Sequence, residues 1–220
     1  MKLYTYWRST AAYRVRIALH LKGLRCEQEP VHLVKDGGEQ HKGEYRAINP
    51  QGLVPTLVDG GHVITQSLAI LEYLEEKHPE PALLPSNPVE RARVRSLAQI
   101  IACEVHPLNN LRVLQYLSNE LDVSDRQKTR WYHHWLEQGL KPLERRLANE
   151  GRTGRFCHGD SPTLADVCLV PQLYNARRFD FPLDAYPTLR RIDEACRELN
   201  AFRASAPEAQ PDAVGTAGSN

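Results

Sequence analysis

Four prolines, Pro79, Pro81, Pro85 and Pro88, fall in one short stretch. Proline removes a backbone donor and breaks both helices and central strands. The stretch is therefore no regular element, and it marks the best boundary between domains in the chain. The two sides differ in pattern. Residues 1–80 mix short β-rich runs with helical periods, whereas residues 89–205 carry helical periods alone. The sequence thus divides into an α/β domain over 1–80, a Pro-rich linker over 81–88, an all-helical domain over 89–205 and a flexible tail over 206–220 that is rich in Ala, Pro, Gly and Ser. At 220 residues, either domain can bury a core.

Within the first domain, Lys2-Leu3-Tyr4-Thr5-Tyr6 reads as a strand. Val15, Ala18, Leu19 and Leu21 then keep helical spacing as far as Gly23, a C-terminal stop. Gln28–Leu33 forms a second strand, parallel to the first if the helix crosses over between them. Lys35–His41 is a polar loop around Gly37-Gly38, and Asn49-Pro50-Gln51-Gly52 is a turn. Leu53–Val58 and His62–Thr65 make a hairpin about Asp59-Gly60, with Pro55 at a strand end or in a cis bond. Ser67 is the natural N-cap of a following helix whose apolar side is Leu68, Ile70, Leu71 and Leu74. The order β-α-β, β-β-α fits one small α/β domain.

The helical part has its own signals. Val94, Leu97, Ala98, Ile101 and Val105 share one helix face, and Pro107 bends or interrupts that helix. Another helix starts at Asp125. Thr163 with Asp166 three residues on forms a capping box that serves folding. Tyr186-Pro187 precedes a last helix with Leu189, Ile192 and Leu199 apolar.

Charge and composition exclude several classes. Lys and Arg number 28 against 27 Asp and Glu, so the basic excess of a nucleic-acid binder is missing. No apolar run has the length of a membrane span, and the N-terminus lacks the layout of a signal peptide. The five cysteines are scattered, and none is spaced C-x-x-C. This fits reduced thiols in the cytoplasm better than disulfides or a zinc site. The chain has no G-x-G-x-x-G, no P-loop, no H-E-x-x-H and no G-x-S-x-G. His133-His134, adjacent on a helix, point about 100° apart and make a poor metal pair.

Chemistry is suggested by the turn between the first strand and the first helix. Ser9 and Thr10 stand there, so their hydroxyls either cap free helix N–H groups or face an anion such as a thiolate. The turn holds no cysteine. If thiol chemistry occurs here, the sulfur comes from a ligand.

The segment Arg8-Ser9-Thr10-Ala11-Ala12-Tyr13-Arg14-Val15-Arg16-Ile17-Ala18-Leu19 resembles the zeta-class glutathione transferase pattern Ser-Ser-Cys-x-Trp-Arg-Val-Arg-Ile-Ala-Leu. Lys35–Gly38, Asn49-Pro50, Val54-Pro55-Thr56-Leu57, Gln66–Ile70, His106–Leu111 and Thr163–Gln172 fit as well, and the likeness covers 1–212. Two positions depart from the class: Ala11 stands where it has cysteine, and Thr10 where it has a second serine.

The resemblance implies a thioredoxin-like N-terminal domain, an all-α C-terminal domain and a cytoplasmic homodimer. It implies glutathione as cofactor and a small acidic dicarbonyl substrate. The implied reaction is the cis–trans isomerisation of maleylacetoacetate to fumarylacetoacetate in tyrosine and phenylalanine catabolism, by reversible thiolate addition to the double bond. Maleylpyruvate and α-haloacids are alternative substrates. A catalytically inactive glutathione-binding protein is the alternative of another class.

A thiol near pKa 8.5 is only about 3% ionised at pH 7, and each unit of lowering is worth about 1.4 kcal/mol. By resemblance Ser9, with Thr10 second, donates to the sulfur. Gln66 and Ser67 take the γ-glutamyl carboxylate, Val54 the cysteinyl part and Gln40 the glycyl end. His106, Asn110 and Arg112 contact the ligand from the helical domain. For His106 a partly buried histidine at a kink is an equal reading. Arg8 and Arg178 are the cations for substrate carboxylates, Arg178 fitting the class better than Arg177. Arg14 and Arg16 read as helix-surface or domain-interface ion pairs.

Overall fold

The computed structural model describes residues 1–213. It contains two compact units, Met1–Ala82 together with the stretch that begins at Arg197, and Leu83–Cys196.

The first unit is built on a four-stranded mixed sheet in the order β2-β1-β3-β4. Its elements are β1 (Lys2–Thr5), α1 (Thr10–Leu21), β2 (Glu27–Pro30), α2 (Gly43–Ile48), β3 (Thr56–Asp59), β4 (His62–Thr65) and α3 (Ser67–Lys77). β1 runs parallel to β2 and antiparallel to β3, which pairs antiparallel with β4. The parallel pair is what a crossover helix requires. α1 stops as expected: Gly23, at φ +64°, donates to His20 O, and Leu24 N donates to Leu19 O, closing a Schellman motif. Gly60 and Gly61, both at positive φ, form the two-residue hairpin loop, one residue later than the expected Asp59-Gly60, because Asp59 still pairs with His62 in the sheet. The Val54–Pro55 peptide is cis. Leu3, Val15, Ala18, Leu57, Ile70, Leu71 and Leu74 are fully buried in this unit's core, and Tyr6, Val31, Tyr45 and Val54 form a second cluster.

Several expectations are corrected in this unit. β2 is shorter than Gln28–Leu33, and the 35–41 segment contains two 3-10 turns, Lys35–Gly37 and Glu39–His41. The short α2 has no strong apolar period and escapes sequence reading. Ser67 is not an N-cap: Gln66, at φ +70°, caps α3 without a side-chain bond, and Ser67 is the first helical residue.

Arg14 and Arg16 do not lie on the helix surface, since both are 1% exposed. Arg16 donates to Thr5 Oγ1, Tyr6 O, Trp7 O and Ser205 O, tying the β1–α1 turn to the C-terminal stretch. A helix N-terminal half with no Asp or Glu beside it reads as solvated from periodicity alone. The carbonyls that take Arg16 come from the β1–α1 turn and from Ser205, and Arg14 donates to the Ser67 hydroxyl.

The second unit is helical: α4 (Pro88–Gln99), α5 (Leu111–Asn119), α6 (Asp125–Asn149), α7 (Leu164–Arg178) and α8 (Pro187–Arg197). Between α4 and α5 the chain passes through a π-helical segment, Ile100–Val105, and a 3-10 turn, His106–Asn109. This is the interruption Pro107 demands. Gly139 is needed where α6 meets that segment, because a Cβ there would stand 2.0 Å from Val105 Cγ2.

The segment after Arg197 differs from expectation. α9 (Asn200–Ser205) belongs to the first unit, not to a helical domain ending at 205. There Phe202 is fully buried and its carbonyl accepts from the Tyr13 hydroxyl. Residues 206–213, read as flexible tail, form 3-10 turns at Pro207–Ala209 and Pro211–Ala213. Asp212 Oδ2 accepts from Trp7 N at 2.8 Å. The rest of that tail, 214–220, lies outside the described residues.

Candidate active site

Strand register gathers the candidates of the first unit at one end of its sheet. Tyr4 pairs with Thr56, and Thr56 pairs with Thr65. The turn after β1, the Val54–Pro55 segment before β3 and the Gln66–Ser67 step after β4 therefore leave the sheet at the same end. β2 also finishes there, with Pro30 opposite Thr5, and the loop carrying Gln40 follows it.

Ser9 is the N-cap of α1. Its Oγ accepts from Ala12 N at 3.2 Å, and its backbone N donates to Tyr6 O. The capping use of Ser9 consumes an acceptor position and leaves the hydroxyl proton available. Thr10 opens α1 and is buried. Arg8 Nη2 donates to the Tyr6 hydroxyl at 3.4 Å, and its guanidinium lies 4.9 Å from the Trp7 ring centre, so two aromatic residues steady it.

The segment before β3 is clamped from below. Tyr45 Oη and Asn49 Nδ2 both donate to Leu53 O, at 2.6 and 2.8 Å, and both reach Thr56 Oγ1. This fixes the backbone on either side of Val54. Burial is the main cause pushing the Tyr45 pKa up, so it stays a neutral donor. The signal for this clamp was present in Asn49-Pro50 but was read only as a turn.

At α3, Arg14 Nη1 donates to Ser67 Oγ at 3.2 Å, and Gln66 Nε2 donates to Gln51 Oε1 at 2.8 Å. The first N–H groups of α3 have no intrahelical partner, and the helix dipole adds positive potential there. Gln40 is buried: Nε2 donates to Leu33 O at 3.0 Å, while Oε1 has no partner among the described residues. Gly38, at φ +97°, gives the chain room to pass this amide, because a Cβ would come within 2.6 Å of it.

The helical unit holds the remaining candidates. His106 begins the 3-10 turn and is half-buried. Asn110 caps α5, its Oδ1 accepting from Arg112 N at 3.1 Å, which leaves its amide N–H groups for other partners. Arg112 is exposed. Arg177 is committed to Asp193 at 2.9 Å, whereas Arg178 donates to the neutral Asn175 Oδ1 at 3.0 Å. His133 Nε2 lies 2.6 Å from Phe179 O and so fastens the end of α7.

The Thr163–Asp166 signal serves folding in this structure. The Asp166 carboxylate accepts from Thr163 N, Thr163 Oγ1 and Cys157 N, each at 2.8 Å.

Comparison with known proteins identifies the family. The family model described as "Glutathione S-transferase, N-terminal domain" matches residues 3–82, and that described as "Glutathione S-transferase, C-terminal domain" matches residues 125–205. A probable maleylacetoacetate isomerase of Vibrio cholerae is 52% identical over 211 residues, 96% of this chain and 97% of that protein. Among solved structures, the holo form of a maleyl pyruvate isomerase, described as a bacterial zeta-class glutathione S-transferase, superposes with a TM-score of 0.94. It is 48% identical, with 96% of this chain and 99% of that one covered. The maleylacetoacetate isomerase of Methylobacterium extorquens, solved with malonate and glutathione bound, gives 0.92 at 46% identity, covering 96% and 98%. With both family models matched and half of its residues shared over nearly the full length, the chain belongs to the glutathione S-transferase family and, within it, to the zeta class.

Proposed function

We propose that the chain is a glutathione-dependent cis–trans isomerase of maleylacetoacetate, acting in tyrosine and phenylalanine catabolism. The observation that carries this is the single sheet end shared by the Ser9 turn, the Val54 segment and the start of α3, in a chain about half identical to isomerases of that name. Maleylpyruvate is the second substrate reading, favoured by the 0.94 superposition on an isomerase of that compound.

The residues present fit glutathione. Ser67 and the N-terminus of α3, with Gln66, suit the γ-glutamyl carboxylate. The clamped backbone of Val54 suits a peptide. The buried Gln40 Oε1 calls for a hydrogen-bond donor, and the glycyl amide N–H of the tripeptide is one of suitable chemistry. Bound glutathione supplies a thiolate that adds reversibly to the substrate double bond, which lets that bond rotate. Ser9 donates its hydroxyl proton towards the sulfur, and the N-terminus of α1 adds its dipole, so the two favour the ionised form. Thr10 is the second donor. The resemblance to the zeta class is what supports ligand contacts for His106, Asn110 and Arg112. Arg8 and Arg178 take the substrate carboxylates, for which the planar, permanently charged guanidinium is suited.

The family also supports a homodimer. The five cysteines are free thiols and no described helix is long and apolar enough to cross a membrane, which supports a cytoplasmic home.

The test is a spectrophotometric isomerase assay on both maleyl substrates, with and without glutathione, for the wild type and for Ser9→Ala, Thr10→Ala and Arg178→Ala. Activity should vanish without glutathione. Turnover that persists in its absence would refute the mechanism, and glutathione binding with no turnover of either substrate would make the chain a binding protein.

A further inference from the structure

The chain reaches Ser9 through a tight turn. Ser9 N donates to Tyr6 O at 3.0 Å, which closes the turn over Tyr6, Trp7, Arg8 and Ser9. Such a turn has one internal hydrogen bond, so the N–H and C=O of its second residue, Trp7, find no partner inside it. Both are engaged from outside. Arg16 Nη2, on α1, donates to Trp7 O at 2.9 Å. Asp212 Oδ2, 205 residues further along the chain, accepts from Trp7 N at 2.8 Å.

Asp212 is brought there by a built support. α9 packs on α1, with Phe202 fully buried and its carbonyl accepting from the Tyr13 hydroxyl. Ser205 O accepts from Arg16 Nε at 3.2 Å, so one guanidinium holds both the C-terminal stretch and the Trp7 turn. Gln210, 4% exposed, ties the next residues back, its Nε2 donating to Ala204 O and Ala206 O, both at 2.9 Å. The turn Pro211–Ala213 is closed by Ala213 N donating to Gln210 O at 3.0 Å. Pro207 and Pro211 fix φ at the starts of the two turns. A stretch with little apolar surface is thus ordered by hydrogen bonds, and it delivers one carboxylate to the amide of Trp7.

A carboxylate that accepts from a backbone N–H makes a charge-assisted bond. Its consequence falls two residues on. Ser9 Oγ caps Ala12 N at 3.2 Å, so the place of this hydroxyl at the start of α1 depends on how the turn presents it. A misplacement on the order of 1 Å can cost a catalytic group about a hundredfold in rate.

We propose that Asp212 is a positioning residue for Ser9: by holding Trp7 N, the C-terminal stretch sets the turn that presents the Ser9 hydroxyl to the sulfur of glutathione. This rests on the reading of Ser9 as the donor to that sulfur. Asp212 acts through the backbone and need not touch the ligand.

The experiment uses the full-length protein as wild type, Asp212→Ala, Asp212→Asn, Ser9→Ala and Asp212→Ala/Ser9→Ala. The absorbance of the bound glutathione thiolate is titrated against pH, with isomerase kinetics and melting temperature measured alongside. Asp212→Ala should raise the pH midpoint of thiolate formation by about 0.5–1 unit. Below that midpoint kcat should fall by about three- to tenfold, the same shift expressed as thiolate fraction. Asp212→Asn keeps an acceptor oxygen and should recover most of the wild-type midpoint. The double variant should be no worse than Ser9→Ala. Hydrogen exchange reads the contact itself: the Trp7 amide should be protected in the wild type and lose that protection in Asp212→Ala. An amide equally protected in both overturns the proposal. So does an Asp212→Ala protein whose melting temperature falls while its midpoint stays, or a double variant in which the losses add; in these cases the Ser9 reading stands. If Ser9→Ala itself leaves the midpoint unmoved, the Ser9 reading falls and takes this one with it.

Discussion

The buried guanidinium of Arg14 donates to Ser67 Oγ at 3.2 Å, joining the second turn of α1 to the first residue of α3. A hydroxyl that accepts from a cation below keeps its own proton for an anion above. In the proposed site that anion is the γ-glutamyl carboxylate. Ser67→Ala should therefore weaken glutathione binding by about 1.5–3 kcal/mol, the range for a hydrogen bond to a charged group. Titration calorimetry measures it, and an affinity equal to the wild type's removes Ser67 from the site.

Ser9 makes two demands on one hydroxyl, a cap to Ala12 N and a bond to sulfur. Loss of the cap alone costs about 1 kcal/mol of stability. Loss of the donor should raise the bound thiol's pKa by about one unit. The thiolate is the active species, so the acid limb of the rate profile should move to higher pH by that amount. The thiolate absorbance of the bound cofactor follows this directly. A Ser9→Ala enzyme with an unmoved limb, and a Thr10→Ala enzyme with a shifted one, would transfer the donor role to Thr10.

Much of this was legible in the chain because local signals coincide with local structure. Gly23 stops α1, Gly60-Gly61 turns the hairpin, and Thr163 with Asp166 opens α7, all within a few residues. The same reading failed where partners are remote. Arg16 is satisfied by Thr5, Tyr6, Trp7 and Ser205, and no period in α1 announces the last of these. The 206–213 segment has little apolar surface, yet Asp212 reaches the backbone of Trp7. For the site, Ser9 and Ser67 were visible as helix-start residues, but the Tyr45–Asn49 clamp on Leu53 needed the fold.

The cysteines differ in environment, and that gives a pH-dependent test. Cys103 is exposed, whereas Cys157, Cys168 and Cys196 are buried. Cys26 is half-buried, and desolvation pushes its pKa to about 11. Alkylation needs the thiolate, so at pH 8 Cys26 presents about a thousandth of its thiol in reactive form. Iodoacetamide at pH 8 should label Cys103 first. Labelling of Cys26 should climb about tenfold per pH unit towards pH 11. Peptide mass spectrometry reads both sites, and a Cys26 rate flat between pH 8 and 10 contradicts the burial assigned to it.

Lys22 and Glu75 form an ion pair at 2.7 Å with side chains 0% and 6% exposed. Lys22 Nζ also donates to His78 O at 2.7 Å and Pro81 O at 3.0 Å, so one ammonium joins the end of α1, the interior of α3 and the start of the Pro-rich stretch. Lys22→Met leaves the carboxylate buried without its ammonium and should cost about 3–5 kcal/mol. At about 2–4 °C per kcal/mol for a chain of this size, the melting temperature should fall by roughly 6–20 °C. Replacing both members by apolar residues removes the stranded charge. Lys22→Met/Glu75→Leu should therefore melt above the single variant. It should still melt below the wild type, because the two carbonyls lose their donor in either case. Calorimetry on the three proteins decides. A double variant no more stable than Lys22→Met would mean that the two carbonyl contacts, rather than the ion pair, carry the stabilisation.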